Sequence, residues 1–467
     1  MHFKHKFDPT ILRAYDIRGI INKNLNDLDA FMLGYFFGLT VKKNAASSEK
    51  HKIVVSRDGR LSSDHLSSHL IQGLLKAGSH VINIGLNPTP VLYFSNEYFN
   101  AEASIQVTGS HNPKEYNGFK MVMFNKSFFD KDIIRLSKFA EQGSDELHSG
   151  KYEEKNIEEI YIDRILRPII NLKSQSLSEK TIVWDCGNGA TGNIINNLTN
   201  KIPGNHHILF SEIDGNFPNH APDPTTKENL KDLENKINTV NANFGIAFDG
   251  DGDRISIMRS NGTLIPGDLL TAFLSLSIKD KTKKIILDIK SSIKAKNAIE
   301  NFGFKVNFWK TGHSNIKSKM KKDRSLLAGE MSGHIFFSDN YYGYDDAIYA
   351  STRFLELIGK NFSVDEFFNG LEESYATPEI KVQCPEELKF KIVKKIILKL
   401  HLKYNSNELL LIDGIRVMND YGWYLIRASN TENALIVRVE GKTKICRNML
   451  IDEVKNLLKE ENIFINL

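Results

Sequence analysis

Cysteine is nearly missing from this chain: Cys186, Cys384 and Cys446 are the only three in 467 residues. They are odd in number, far apart and form no C-x-x-C pair, which speaks against a disulfide framework or a zinc site and suits a reducing cytosol. Net charge is scarce as well. Lys plus Arg number 61 and Asp plus Glu 57, leaving +4, too weak a field over this length to suggest nucleic acid as a partner. Long apolar runs are wanting too: Phe31 to Thr40 is about half of the roughly 20 residues a membrane-spanning helix needs, so no membrane association is expected. The charged start MHFKHKFDPT has no apolar segment behind it, so no secretory signal is expected and a cytoplasmic location is. No fixed short repeat appears, which argues against solenoids and propellers.

What is present fits a soluble globular protein, with 41% hydrophobic and 25% charged residues. The length calls for two to four domains. Three places share one local grammar, a short β-branched run that stops at a polar loop and leads into a helical pattern: IVVSRDGRLSSD from Ile53, TIVWDCGNGATG from Thr181 and KIILDIKSS from Lys284. Continuous apolar runs suit strands covered on both faces, so three successive α/β domains with mixed or parallel sheets are expected, with sites at the strand ends. In the first, Ser62 or Ser63 is expected to cap a helix carrying Leu66, Leu70, Ile71, Leu74 and Leu75, ended by Gly78 and followed by a strand over Val81–Ile84. After about residue 370 the pattern becomes α+β. Strands are expected at Glu379–Val382, Trp423–Arg427 and Ala434–Glu440, and helices at Glu386–Leu402 and Ile445–Leu458, the latter with Ile445, Met449, Leu450, Val454, Leu457 and Leu458 on one face. Lys389, Lys391, Lys394, Lys395 and Lys399 read as a solvated face. The expected domains are 1–153, 154–258, 259–370 and 371–467.

Four segments carry chemistry. TGSHNPKEYNGFK, Thr108–Lys120, follows the strand-like run SIQV. Gly109 permits a tight turn and Asn112-Pro113 keeps a helix from starting at once, so Ser110 is expected on a strand-end loop. A serine hydroxyl is a weak nucleophile and needs a proton acceptor and charge stabilisation, for which His111, Lys114 and Lys120 are candidates. A polar turn with an incidental serine is the alternative. In GIAFDGDGDRISIM, Asp249, Asp251 and Asp253 alternate with Gly250 and Gly252, which places three carboxylates within five residues. Their repulsion is relieved by a hard divalent cation, and all-oxygen ligation favours Mg²⁺. An EF-hand would need Gly and Glu where Arg254 and Ser260 stand. An exposed acidic turn is the alternative.

The third segment, LLAGEMSGHIFF, offers Glu330, Ser332 and His334 on a Gly-flanked loop, a set suited to vicinal sugar hydroxyls that both give and take hydrogen bonds. Surface or helix-cap groups are the plainer reading. The fourth, LIRASNTENALIVRVE, clusters Arg427, Ser429, Asn430 and Thr431 between two strands with Arg438 on the second, as an unreacted phosphate requires. A polar hairpin loop is its alternative.

Taken together, these segments resemble the α-D-phosphohexomutases, most closely the bifunctional phosphomannomutase/phosphoglucomutases. The likeness covers nearly the whole chain through RAYDIRG, TGSHNP, DCGNG, DGNFPNHAPDP, DGDGDR, WKTGHS, GEMSGH and RASNT. It implies four domains around a central cleft and interconversion of hexose 1- and 6-phosphates of mannose or glucose through a phosphorylated Ser110 and a hexose 1,6-bisphosphate, which also serves as activator. It implies Mg²⁺ on Asp249, Asp251, Asp253 and the phosphoserine oxygen, and sugar contacts from Glu330 and Ser332. His111 joins the substrate contacts, and Arg254, Lys290, His313 and His334 line the cleft, His334 with a catalytic part. Tyr15, Arg18 and Lys120 stand near the reacting phosphoryl group, and Arg427, Ser429, Asn430, Thr431 and Arg438 grip the distal phosphate. Small sugar phosphates are the implied partners, and no obligate protein partner is. Two departures stand out: Glu432-Asn433 where relatives often have Thr-Pro, and Ser291-Ser292 where Cys-Thr is common. A phosphoglucosamine mutase resembles the chain less, since Ala428-Ser429-Asn430-Thr431 and Met331 stand where its phosphate and sugar loops differ. A non-catalytic phosphosugar-binding protein would be expected to have lost the serine or carboxylates, and a simple phosphatase remains for a product assay to separate.

Overall fold

The computed structural model describes residues 2–45, 51–170, 172, 175–429 and 433–465. Four sheets follow one another along the chain. In the first, strands Lys52–Arg57, His80–Leu86, Ala103–Val107 and Lys151–Glu154 run parallel, Tyr116–Met123 lies antiparallel beside Ala103–Val107, and Ile17–Ile20 lies antiparallel beside Tyr116–Met123 at the edge. The second sheet has Thr181–Asp185 between Asn205–Leu209 and Phe244–Phe248, all parallel, followed by antiparallel Ile255–Arg259 and Leu264–Ile265. Leu264–Ile265 lies beyond residue 258, so the second sheet draws on residues assigned from sequence to the third domain. The third sheet sets Lys284–Asp288 between Lys305–Trp309 and Leu327–Gly329, with Ile335–Phe337 antiparallel at its edge. The fourth is antiparallel throughout, centred on Gly422–Ala428 and Ala434–Gly441. The three α/β units and the closing α+β unit expected from the sequence are therefore present.

The inner strands Ala103–Val107 and Phe244–Phe248 are buried along their whole length, whereas the edge strands Lys151–Glu154 and Asn205–Leu209 are partly exposed. Helices on both faces of such sheets leave only the strand ends open for chemistry. One helix pair packs unusually close. The helices Asp27–Asn44 and Ser63–Lys76 meet at Gly34 and Gly73, where a Cβ would stand 2.1 Å from the Leu70 carbonyl oxygen and 2.0 Å from that of Phe31. Gly73→Ala must push the helices apart, an overpacking cost of about 1–3 kcal/mol. A first thermal unfolding step lowered by several degrees is the expected reading, and an unchanged melting curve would contradict the contact.

Three local expectations are corrected. Ser62 occupies the cap position of the helix Ser63–Lys76 without a capping bond; its hydroxyl accepts from Asn117 Nδ2 at 2.8 Å, and Ser63 donates instead to Asp58 Oδ1 at 2.5 Å. On the last helix, Lys444–Lys459, the buried stripe is Leu450, Ile451, Val454 and Leu458, whereas Ile445 and Met449 are exposed. Met449, one position before Leu450, is turned about 100° away from that stripe. Lys389 is buried beside its ion pair with Glu386 at 2.6 Å, unlike the other lysines of the helix Glu386–His401. Among the described residues no helix is long and apolar enough to cross a membrane.

Candidate active site

Ser110 lies on the loop between Ala103–Val107 and Tyr116–Met123, and the loop is held from behind. Arg60 donates from Nη1 to the carbonyls of Pro113 (2.6 Å) and Tyr116 (3.0 Å), and from Nη2 to those of Ser110 (2.7 Å) and Asn112 (2.6 Å). Asp58 Oδ2 accepts from Thr108 Oγ1 at 2.8 Å and the Gly109 amide at 3.1 Å. Arg60 and Asp58 belong to the RDGR segment at the end of Lys52–Arg57. Sequence reasoning used that segment only as a strand-end marker and missed this part. The turn also differs from expectation: Ser110 itself takes the left-handed conformation, φ +51°, which costs an L-residue roughly 1–2 kcal/mol. Gly109 serves a close approach, since a Cβ there would stand 2.4 Å from the Arg60 guanidinium.

The Ser110 hydroxyl is buried and donates to Asp249 Oδ2 at 3.1 Å, with His111 Nδ1 at 3.2 Å. Burial, then the charges of Arg254, Arg18 and Lys120, lower the His111 imidazole well below its usual range, so the ring is neutral. Lys114 is exposed and takes no place beside the serine, because Asn112-Pro113 carries the chain outward before it returns as a strand. Arg18 Nη1 bonds Asn112 Oδ1 and the Gly109 carbonyl (3.3 Å), while Nη2 pairs with Asp16.

Asp249, Asp251 and Asp253 follow Phe248 at the end of their strand and are fully buried, which removes the exposed-turn reading. Gly250 lets this loop close on the serine, its added Cβ falling 2.6 Å from the Ser110 carbonyl oxygen. The carboxylate oxygens of the triad lie within 4.8 Å of one another. Lys120 Nζ bonds Asp251 Oδ2 at 2.7 Å and also Asp253 Oδ2. Burial alone would lower the Lys120 ammonium, but Asp251, Asp253 and Asp249 outweigh it and raise it. Burial, reinforced by Asp253 and Asp251, pushes Asp249 well up. Burial works the same way on Asp251, yet Lys120 and the Thr89 hydroxyl hold that carboxyl below its usual range. Asp251 Oδ1 and Asp253 Oδ1 are buried without a hydrogen-bond partner. Unpaired buried carboxylate oxygens are costly, and hard oxygen donors left over in this way fit a divalent cation.

The GEMSGH loop reaches the triad from the third sheet. Glu330 Oε1 accepts from the Gly312 amide at 2.6 Å, and burial raises its carboxyl. Ser332 is half-buried on the turn. His334 is buried with both ring nitrogens engaged: Nδ1 faces the Asp253 carbonyl oxygen at 3.1 Å, and Nε2 accepts from Arg254 Nε at 3.0 Å. Neither residue is the surface group of the plainer reading, and His334 is no open reader of hydroxyls, because a buried imidazole requires partners of its own. His313 begins the helix His313–Asp323 and its ring lies 5.6 Å from that of His334. Tyr15 donates to the Thr311 carbonyl at 2.9 Å, tying the first sheet's start to the WKTGHS loop.

Towards the fourth sheet, Lys290 pairs with Glu379 at 2.8 Å, and Arg438 Nη1 bonds the Lys290 carbonyl and touches Met331 Sδ. The Thr311 amide bonds Asp413 Oδ2 at 3.3 Å, and the same oxygen accepts from Arg427 Nε at 3.0 Å. Ser429 is buried beside this pair's strand; Asn430 and Thr431 lie outside the described residues. Contacts thus run from sheet to sheet, from the triad through Arg254 to His334, and from Glu330 through the WKTGHS loop to Asp413 and Arg427. Glu379, Asp413, Thr89 and Asp345 were not singled out from the sequence, since a lone acid or hydroxyl carries no spacing signal.

Comparison with known proteins agrees with this fold. Models of the phosphoglucomutase/phosphomannomutase α/β/α domains I, II and III match residues 9–138, 159–262 and 266–375, and that of the C-terminal domain matches 379–453. A Pseudomonas syringae protein named phosphomannomutase/phosphoglucomutase is 38% identical over 438 residues, 93% of this chain and 92% of its own. A Neisseria gonorrhoeae phosphoglucomutase is 36% identical and covers 96% of each chain. The crystal structure of a phosphoglucomutase/phosphomannomutase family protein from Burkholderia thailandensis superposes with a TM-score of 0.88 at 34% identity, over 97% of this chain and 98% of that one. With all four domains matched in order and such relatives spanning almost its full length, the chain belongs to the phosphoglucomutase/phosphomannomutase family.

Proposed function

We propose that this protein is a phosphohexomutase that interconverts hexose 1-phosphates and hexose 6-phosphates of glucose, mannose or both. The observation that carries the reading is the Ser110 hydroxyl against Asp249, at the edge of a buried carboxylate triad with two oxygens left unpaired. Phosphorylated Ser110 gives its phosphoryl group to the free hydroxyl of a sugar monophosphate: the serine O–P bond breaks, a sugar O–P bond forms, and the hydroxyl proton passes in net to the serine oxygen. The resulting 1,6-bisphosphate presents its other phosphate, which returns to Ser110. His111, neutral and 3.2 Å from the serine oxygen, is placed to take the serine proton on that return. Asp249, Asp251 and Asp253 would hold Mg²⁺, which neutralises charge on the transferring oxygens when bound. Lys120 and Arg18 supply fixed positive charge on the same side, where most of the catalysis of such transfers resides. Glu330 and Ser332 contact the sugar, with His334, Arg254, Lys290 and His313 around them. Arg427, Ser429, Asn430, Thr431 and Arg438 hold the phosphate that is not transferred.

The test uses purified protein, Mg²⁺ and a trace of glucose 1,6-bisphosphate, comparing glucose 1-phosphate, mannose 1-phosphate and glucosamine 1-phosphate. Conversion of the first two to 6-phosphates is expected. Preference for glucosamine 1-phosphate, release of inorganic phosphate alone, or binding without turnover would each replace the reading. Arg427→Ala removes a grip made in ground and transition states alike, so KM should rise roughly 10- to 100-fold, the worth of a charge-assisted bond, with a smaller fall in kcat. An unchanged KM would take Arg427 out of the phosphate clamp.

A further inference from the structure

We propose that Asp345 is a positioning residue that holds the ring orientation of His334 and steadies His313 beside it. The inference rests on the mutase reading. Asp345 follows the edge strand Ile335–Phe337 and is fully buried. Its neighbour Asp346 turns the other way: it caps the helix Ala347–Gly359 through the Tyr349 amide and accepts from Tyr161 and Tyr341. Asp345 instead faces the site. Oδ2 stands 3.2 Å from His334 Nδ1 and 3.6 Å from His313 Nδ1, while Oδ1 accepts from Lys317 Nζ at 2.9 Å.

The tautomer follows from the other side of the ring. Arg254 Nε is a donor without a lone pair, so His334 Nε2, 3.0 Å away, must accept, and the neutral ring carries its proton on Nδ1. That proton goes to the Asp253 carbonyl oxygen, while Asp345 Oδ2 stands 3.2 Å from the same nitrogen without a hydrogen bond of its own and acts on the ring by its charge. A carboxylate behind an imidazole holds the ring plane through the attraction of its charge for the ring N–H, so that the opposite nitrogen stays aimed at Arg254. Lys317 anchors the carboxylate in turn. Its ammonium also donates to Tyr93 Oη at 3.2 Å and lies 4.3 Å from that ring, so the anchor reaches the helix Thr89–Tyr98 of the first sheet. Burial opposes ionisation of Asp345, but Lys317, His313 and His334 outweigh it and keep the carboxyl well below its usual range.

The experiment compares Asp345→Asn, Asp345→Glu and Lys317→Met with the unaltered protein in the full chain, with circular dichroism and phosphoserine content confirming intact protein. Asp345→Asn should lower kcat about 10- to 100-fold with KM little changed, Asp345→Glu should recover part of that loss, and Lys317→Met should show a smaller loss of the same kind. ¹⁵N-histidine spectra should show His334 protonated at Nδ1 in the unaltered protein and shifted ring resonances of His334 and His313 in Asp345→Asn. A ring spectrum unaltered by Asp345→Asn overturns the proposal, as does a change in KM alone. A drop in the number of Mg²⁺ ions bound per chain in Asp345→Asn would make the carboxylate a metal ligand, which also overturns it. If the unaltered chain turns over no hexose phosphate, the mutase reading fails, and the ring spectra alone then decide for or against Asp345.

Discussion

Ser110→Ala is expected to abolish turnover, by about 10³-fold or more, and to leave purified protein without its active-site phosphate. Removal of a covalent nucleophile is not made good by the groups around it, because they stabilise a transfer that no longer has an acceptor on the protein. Intact-mass and peptide mass spectrometry would find the unaltered chain partly phosphorylated at Ser110. A phosphate found only elsewhere, or full activity in Ser110→Ala after repeated removal of substrate phosphate, would end the assignment. The left-handed backbone at Ser110 adds a second arm. Ser110→Gly relieves that strain while deleting the same hydroxyl, so it should lose activity equally yet melt no earlier than the unaltered chain. A serine kept in a conformation that glycine prefers is retained for its oxygen.

The second large effect is expected at Lys120. Its ammonium is buried against Asp251 and Asp253, and its loss leaves those carboxylates without their nearest positive charge. Breaking a buried pair on one side costs about 3–5 kcal/mol. Lys120→Met should therefore melt much earlier than the unaltered protein in chelator, and Mg²⁺ should restore a large part of the difference by replacing the missing charge. Turnover should fall sharply even with Mg²⁺, since the proposed reaction also draws on the fixed charge of the ammonium beside the serine. The Asp249→Asn, Asp251→Asn and Asp253→Asn variants should lose Mg²⁺ dependence together with activity while remaining folded. Melting curves in chelator and in Mg²⁺, alongside activity in both, decide these points. Equal activity in chelator and in Mg²⁺ for the unaltered chain would remove the metal from the account.

Much of the scaffold is readable from the sequence because buried parallel strands write continuous apolar runs that end in polar loops. SIQV before Ser110 and GIAF before Asp249 are both of this kind, and their loops meet where expected. What escapes is whatever depends on the third dimension. Nothing local distinguishes the buried Lys389 from Lys391 two places on, because the difference is which side of the helix meets the sheet. Asp345 and Asp346 are chemically identical neighbours, yet one faces two imidazoles and the other caps a helix. Arg60 serves carbonyls about 50 to 56 residues away, a separation at which no spacing rule applies. His334 offered the plainest lesson: its residue type suggested a hydroxyl reader, and burial gave both its nitrogens to protein partners.

Arg60 and Asp58 hold the serine loop through its backbone and Thr108, and none of those bonds uses the Ser110 side chain. The loop therefore has no reason to change shape when the serine oxygen gains or loses a phosphate. A reaction that runs forward and backward through the same oxygen meets the same walls in both directions, which suits an interconversion whose two sugar phosphates are close in energy. The reversal that the bisphosphate must make is then a tumbling of the small molecule between two ends, with the serine standing still as its fixed post.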